Sequence, residues 1–152
     1  MICPSCGFVN IPGADECAKC VFSLSSLDRP EGHDIVETSV LTDLVSTLNP
    51  RYPVTIPVDA TLGEAQQCLL DQGVGALMVV NTSGELVGIL TERDFLRKVI
   101  GLHADYAQLP LREFMTSEPV TISPNDILAT VLHKMDVGAY RHLPVVEAGK
   151  PV

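Results

Sequence analysis

Four of the five cysteines lie near the N-terminus at a spacing that favours a metal site. Cys3 and Cys6 form one Cys-x-x-Cys pair, Cys17 and Cys20 form a second, and ten residues separate the pairs. Each pair can direct two sulfurs at one ion, and four thiolates complete the tetrahedral shell of a structural zinc ion. Because so short a segment buries too little apolar surface to fold unaided, the metal would supply the missing free energy. Two disulfides and a redox dithiol are the alternatives.

A second group of residues with chemical potential is the stretch from Gly88 to Asp94. It follows an apolar run and opens a segment whose apolar residues have helical spacing, which predicts a strand, a turn and a helix start. The first N–H groups of a helix have no partner within the helix, so they favour an anion such as phosphate. Thr91 adds a hydroxyl, and Asp94 can accept two hydrogen bonds from a diol such as ribose. The alternative is an ordinary helix start, with Thr91 and Asp94 as a capping box.

Composition narrows the class of protein that carries these groups. The 152 residues are 46% apolar and carry a net charge of −9, which suits one core plus a small appendage. An acidic surface argues against nucleic acid and anionic lipid as partners, and the longest apolar run, residues 74–80, is too short to span a bilayer. The first residues lack the pattern of a signal peptide. We therefore expect a soluble, cytoplasmic protein with reduced thiols, which favours zinc over disulfides.

The cysteine-rich head occupies residues 1–24. Its Cys-Pro-x-Cys-Gly motif, with Asn10 after it, resembles the short zinc ribbons found at the N-terminus of many bacterial and archaeal proteins. Val21 stands where that pattern usually has a second glycine, so the second knuckle is expected to be looser. Two acidic residues against Lys19 give no support to nucleic-acid binding, and a structural or protein-docking ribbon is the better interpretation. Residues 25–40 have the polar, Pro- and Gly-containing composition of a linker, and Cys68 is expected to be a core residue.

The remainder of the chain repeats itself at an offset of 66 residues. Residues 53–56 align with residues 119–122, and residues 77–80 align with residues 143–146, without a gap. Each copy reads as a short helix (41–48; 111–115), a strand (54–56; 120–122), a helix that begins near Thr61 or Asn125, and a second strand near Val79 or Val145. These patterns predict a duplicated α/β (α+β) fold, with one copy at 41–105 and the other at 106–152, packed sheet on sheet with clefts between them.

The order of these motifs resembles the CBS domain, named after cystathionine β-synthase. The resemblance is carried by Val54-Thr55-Ile56, Asp59-Ala60-Thr61-Leu62, the Gly-x-x-Thr-x-x-Asp ending at Asp94, and Arg141-His142-Leu143-Pro144-Val145-Val146. CBS domains occur as tandem pairs that commonly bind AMP, ADP, ATP or S-adenosylmethionine. The likeness implies that Asp94 binds the ribose hydroxyls and Thr91 the phosphate. It also implies that adenine and phosphate are contacted by Thr55, Ile56, the backbone of Ala76 and Leu77, Arg141 and His142.

The second copy lacks a counterpart of the Gly-x-x-Thr-x-x-Asp motif, because that motif would follow Val152. We expect a fragment of a longer chain, or a second domain completed by another subunit.

The sequence predicts a regulatory protein that senses an adenosine-containing nucleotide and signals to an unknown protein partner, with a homodimer implied by the family resemblance. A zinc-ribbon nucleic-acid regulator and a scaffold with a degenerate site are the alternatives. No nucleophile with a base at motif spacing and no open metal site is visible, so we do not expect an enzyme.

Overall fold

The computed structural model of the protein describes residues 1–11, 13–25 and 34–152. The chain divides into two compact units, Met1–Leu41 and Thr42–Val152. Within the described residues, no helix combines the length and the apolar character needed to cross a bilayer. The predicted linker lies partly outside these residues.

The first unit consists of two similar knuckles that are 14 residues apart in sequence. In each knuckle, a backbone N–H four residues after the first cysteine donates to that cysteine's carbonyl: Gly7 to Cys3 and Val21 to Cys17, both at 2.9 Å. Both donors have a positive φ, 70° for Gly7 and 57° for Val21. Val21 therefore keeps the conformation that glycine would favour, and the second knuckle is not looser in its hydrogen bonding.

Helix α1 (Ile35–Thr42) follows the knuckles, in a region where the sequence analysis expected a linker. The backbone N–H of Glu37 donates to the Asp34 carboxylate at 2.8 Å, which satisfies one of the free donors at the helix start. Ile35 and Val36 are largely exposed. The helix was missed because its apolar residues do not form one buried face.

The second unit contains a four-stranded sheet in the order β1-β2-β3-β4. The strands are β1 (Thr55–Pro57), β2 (Ala76–Val80), β3 (Leu86–Thr91) and β4 (Thr116–Ser117). β1 and β2 are parallel, whereas the β2–β3 and β3–β4 pairs are antiparallel. Two further strands, β5 (Val146–Glu147) and β6 (Lys150–Pro151), form an antiparallel pair.

Helix α2 (Leu62–Gln72) covers one face of the four-stranded sheet. The predicted capping box is confirmed, because Thr61 N donates to Glu64 Oε2 at 2.8 Å and Glu64 N donates to Thr61 Oγ1 at 3.3 Å. The apolar stripe of the helix enters a core shared with β2, β3 and the helix after β3. That core includes Leu62, Ala65, Leu69, Leu77, Val79, Leu90, Phe95 and Val99.

The 66-residue repeat is confirmed by the second copy's backbone. Helix α4 (Leu128–Gly138) is α2 displaced by 66 residues, and both helices end at a left-handed residue, Gly73 or Ala139. The pairing of Ile56 with Val79 recurs as a parallel bridge between Ile122 and Val145. The expected strand 120–122 is therefore reduced to one bridge, and the expected short helices are 3-10 turns at Val45–Leu48 and Leu111–Glu113.

The two copies exchange their entry segments. The segment before each copy's first strand hydrogen-bonds to the start of the other copy's long helix, and each bond recurs at the same 66-residue offset. Leu62 N donates to Leu109 O at 2.9 Å, and Leu128 N donates to Asp43 O at 3.0 Å. Likewise Leu111 N donates to Ala60 O at 3.0 Å, and Val45 N donates to Asp126 O at 2.9 Å. This reciprocal pairing fixes the two copies against each other and positions the cleft described next.

Candidate functional site

The four N-terminal cysteines converge on one point, as their spacing predicts. The Sγ atoms of Cys3 and Cys20 are 3.6 Å apart, those of Cys6 and Cys17 are also 3.6 Å apart, and all four lie within 4.8 Å of one another. Four sulfurs at about 2.3 Å from a tetrahedral zinc ion would be about 3.8 Å apart. The same distances are far too long for disulfide bonds of about 2.05 Å, and all four residues are free cysteines. The cluster fits a four-coordinate metal ion.

Neighbouring donors favour the ionised form of one of these sulfurs. The backbone N–H of Lys19 lies 3.4 Å from Cys17 Sγ, and Asn10 Nδ2 lies 3.5 Å from it. Desolvation raises the pKa of Cys17, but hydrogen bonds from the backbone of Lys19 and Cys20 and from Asn10 outweigh it, and the pKa falls to about 6. Asn10 is itself buried, and its Oδ1 accepts from Ala18 N at 2.9 Å. Asn10 thus orients the second knuckle around Cys17.

The second site begins at the end of β3, where Thr91 and Asp94 are joined. Asp94 Oδ2 accepts a hydrogen bond from Thr91 Oγ1 at 2.7 Å and another from Thr91 N at 3.0 Å. The capping-box alternative is therefore what the structure shows. Helix α3 (Glu92–Asp94) starts here and continues as a π-helical turn, Phe95–Val99. Buried Phe95 and Val99 anchor this segment in the core and hold Asp94 at the surface of the cleft.

Lys98 completes the surroundings of Asp94. Its Nζ lies 2.7 Å from Asp94 Oδ1 and donates to Phe114 O at 2.6 Å. The Asp94 side chain is only 13% exposed, so the ion pair and the Thr91 bonds together satisfy a nearly buried carboxylate. A carboxylate has room for about four hydrogen bonds, which leaves capacity for a ligand hydroxyl.

Residues from both copies line one cleft of about 500 Å³. Thr91 and Asp94 come from the first copy, and Arg141 and His142 come from the second. Gly75 lies where a side chain would meet Glu92 and His142, each at 3.5 Å from an added Cβ, so its small size keeps this part of the cleft open. The structure thus brings together four of the eight ligand-site residues expected from the sequence.

The other four expected residues do not line this cleft. Leu77 is fully buried and Ile56 is nearly so, and both side chains pack in the hydrophobic core. Ala76 is buried opposite Thr91 in the β2–β3 ladder. Thr55 is exposed in β1, opposite Met78. The expectation of direct ligand contacts is corrected at Ile56 and Leu77, because apolar strand residues that face a helix are taken up by the core.

The backbone donors expected to face an anion are already used. Thr91 N donates to Asp94, and Glu92 N donates to Gly75 O at 3.1 Å. Any anion in this cleft would depend on side chains instead. The sequence analysis missed the side chains that supply positive charge, Arg93 and Arg97, and one aromatic side chain, Tyr140, whose ring packs over Gly138. The i, i+4 spacing of Arg93 and Arg97, like that of Asp94 and Lys98, is the signal that would have placed them on one face.

Comparisons with known proteins agree with this architecture. The family profile of the CBS domain matches residues 43–101 and 111–152. The chain belongs to the CBS-domain family. Over 99 residues, it is 37% identical to the CBS domain-containing protein CBSCBSPB5 of Arabidopsis thaliana, and this match covers 65% of the chain and 18% of that protein. The chain thus spans about a fifth of the length of such curated relatives.

Two solved structures of CBS domains resemble this chain and contain adenosine compounds. PAE2072 from Pyrobaculum aerophilum, complexed with AMP, has a TM-score of 0.65 and 29% identity, and the match covers 72% of this chain and 83% of that one. The CBS domain pair of MJ0100, in complex with 5-methylthioadenosine and S-adenosyl-L-methionine, has a TM-score of 0.62 and 26% identity, with 72% and 87% covered. The CBS pair predicted from the repeat is confirmed.

Proposed function

We propose that this protein is a regulatory, non-catalytic module that binds an adenosine-containing ligand in the cleft between its CBS domains. The observation that carries the proposal is the convergence of Thr91 and Asp94 from the first domain with Arg141 and His142 from the second. Asp94 would accept the ribose hydroxyls, because its carboxylate is nearly buried and faces the cleft. The AMP and S-adenosylmethionine complexes of related structures support this class of ligand.

Binding would regulate a partner only if the ligand prefers one arrangement of the two domains. The site has residues on both domains, so a bound ligand would tie Asp94 to Arg141 and shift the population toward the arrangement in which both contacts form. A partner protein, a cytoplasmic location and a homodimer stay predictions from the sequence.

Calorimetry with AMP, ATP and S-adenosylmethionine tests the ligand class. Asp94→Asn should weaken the tightest ligand at least tenfold, because it removes a charged hydrogen-bond acceptor. Asp59→Asn, in an exposed turn outside the cleft, is the matched control and should leave affinity unchanged. Since Asp94 also bonds to Thr91 and Lys98, His142→Ala provides a second variant at an exposed position. An absence of heat with all three ligands would contradict the proposal and favour a scaffold with a degenerate site.

We also propose that Cys3, Cys6, Cys17 and Cys20 bind one structural zinc ion. Four thiolates close the coordination shell, so the metal would stabilise the fold and perform no chemistry. Elemental analysis of the purified full chain should give one zinc per chain, and Cys20→Ser should lose it. Iron at the same stoichiometry, or no metal in protein purified without chelators, would contradict the assignment. Salt-sensitive retention of nucleic acid on filters would instead revive the nucleic-acid alternative.

A further inference from the structure

The charges that line the CBS cleft indicate which kind of adenosine ligand it prefers. The lining contains Arg93, Arg97, Lys98 and Arg141 against three carboxylates, in a chain whose net charge is −9. Three of the chain's six arginines therefore face one cleft. An acidic protein that gathers its guanidinium groups in one place creates a local positive potential, which attracts anions.

Ion pairs leave these three arginines available. Lys98 is committed to Asp94 and to the carbonyl of Phe114. The only other ion pair among the described residues joins Lys134 to Asp126, away from the cleft. Arg93, Arg97 and Arg141 therefore have no carboxylate within 4 Å in the part of the chain that the structure describes. A planar guanidinium presents several donors that match phosphate oxygens in pairs.

The backbone supplies no competing anion site. The N–H groups of Thr91 and Glu92 are bonded to Asp94 and Gly75, so a phosphate in this cleft would be bound through side chains. From the positions of the arginines, we infer that the cleft selects adenosine ligands that carry a 5′-phosphate, with Arg97 and Arg141 as phosphate-binding residues, and discriminates against the cationic S-adenosylmethionine. This inference rests on the proposed function and adds the charge of the ligand's 5′ substituent.

The inference is tested with four ligands that share adenosine and differ only at the 5′ position: AMP, adenosine, methylthioadenosine and S-adenosylmethionine. Calorimetry on the full chain at low salt should give AMP at least about tenfold tighter binding than each of the other three. This preference should shrink as salt rises, because the arginines are exposed to solvent. Arg97→Gln should weaken AMP about tenfold and adenosine less than twofold. Arg112→Gln, an exposed arginine outside the cleft, is the control and should change neither.

The outcomes separate this inference from the proposed function. If adenosine or S-adenosylmethionine binds as tightly as AMP, or if Arg97→Gln weakens AMP and adenosine equally, the inference is wrong while the adenosine site stands. If none of the four binds, the proposed function fails, and inorganic pyrophosphate then decides the role of the arginines. Shifts of the Arg97 and Arg141 side-chain NMR signals on adding pyrophosphate would support an anion site, and unchanged signals would overturn it.

Discussion

Val21→Gly should tighten zinc binding by the N-terminal ribbon about fivefold. Val21 has φ 57°, and a left-handed backbone costs a β-branched residue about 2 kcal/mol. The greater freedom of glycine in the unfolded chain takes back about 0.5–1 kcal/mol. The side chain is 69% exposed, so its removal sacrifices little burial. The net gain of about 1 kcal/mol converts to about fivefold in affinity, because folding of a ribbon and metal binding are coupled.

The two knuckles provide the controls for this experiment. Gly7 occupies the equivalent position with φ 70° and has open space around an added Cβ, so Gly7→Val tests backbone strain alone and should weaken zinc about fivefold. Val21→Ala removes most of the side chain but keeps the Cβ, so it should gain less than half of the glycine effect. Combining Gly7→Val with Val21→Gly should return affinity close to that of the original protein if the knuckles act independently.

The assay is competition for zinc with a chromophoric chelator, using the full chain. Val21→Gly that binds zinc no more tightly than Val21→Ala would refute the strain argument. So would an unchanged affinity in Gly7→Val.

Two further substitutions test the CBS pair. Gly75→Leu should abolish AMP binding without unfolding the protein, whereas Gly75→Ala should be nearly neutral, because its Cβ would meet Glu92 and His142 only at ordinary contact distance; calorimetry distinguishes them, and retained binding in Gly75→Leu would count against ligand entry here. Thr61→Ala should lower the free energy of unfolding by about 1 kcal/mol through loss of the α2 cap, measured by urea denaturation. Thr82→Ala, in an exposed turn, is its control, and equal midpoints would contradict the assignment.

Much of the fold could be predicted because its signals are local or repeated. The Thr61-x-x-Glu64 motif identifies the start of α2 from neighbouring residues alone, and the structure contains both bonds of the box. The 66-residue offset in sequence becomes the same offset between α2 and α4. The metal cluster was also predictable, because the tight geometry of a Cys-x-x-Cys pair leaves few places for its sulfurs.

What could not be predicted depends on long-range packing. Thr55 and Ile56 belong to a motif of the family, but their burial and orientation depend on the sheet register and on α2. The reciprocal bonds between entry segments, such as Leu62 to Leu109, join residues too far apart for any local pattern to indicate. Arg97 next to Lys98 reads in sequence as a solvated pair, and only the helix face shows that one is paired with Asp94 and the other is not.

One helix was missed although a local signal was present. Asp34 precedes Glu37 by three residues, the spacing of a capped helix start, and the Asp34 side chain does accept a bond from Glu37 N. The polar composition of the preceding residues outweighed that signal in our interpretation of 25–40 as a linker.

The most direct test of the account is a crystal structure of the full chain grown with AMP. We expect the ribose hydroxyl oxygens within about 3 Å of the Asp94 carboxylate and the phosphate against Arg97 or Arg141. AMP bound away from Asp94, or a cleft without AMP in crystals grown at saturating concentration, would contradict the claim that the two CBS domains together form a nucleotide-binding site.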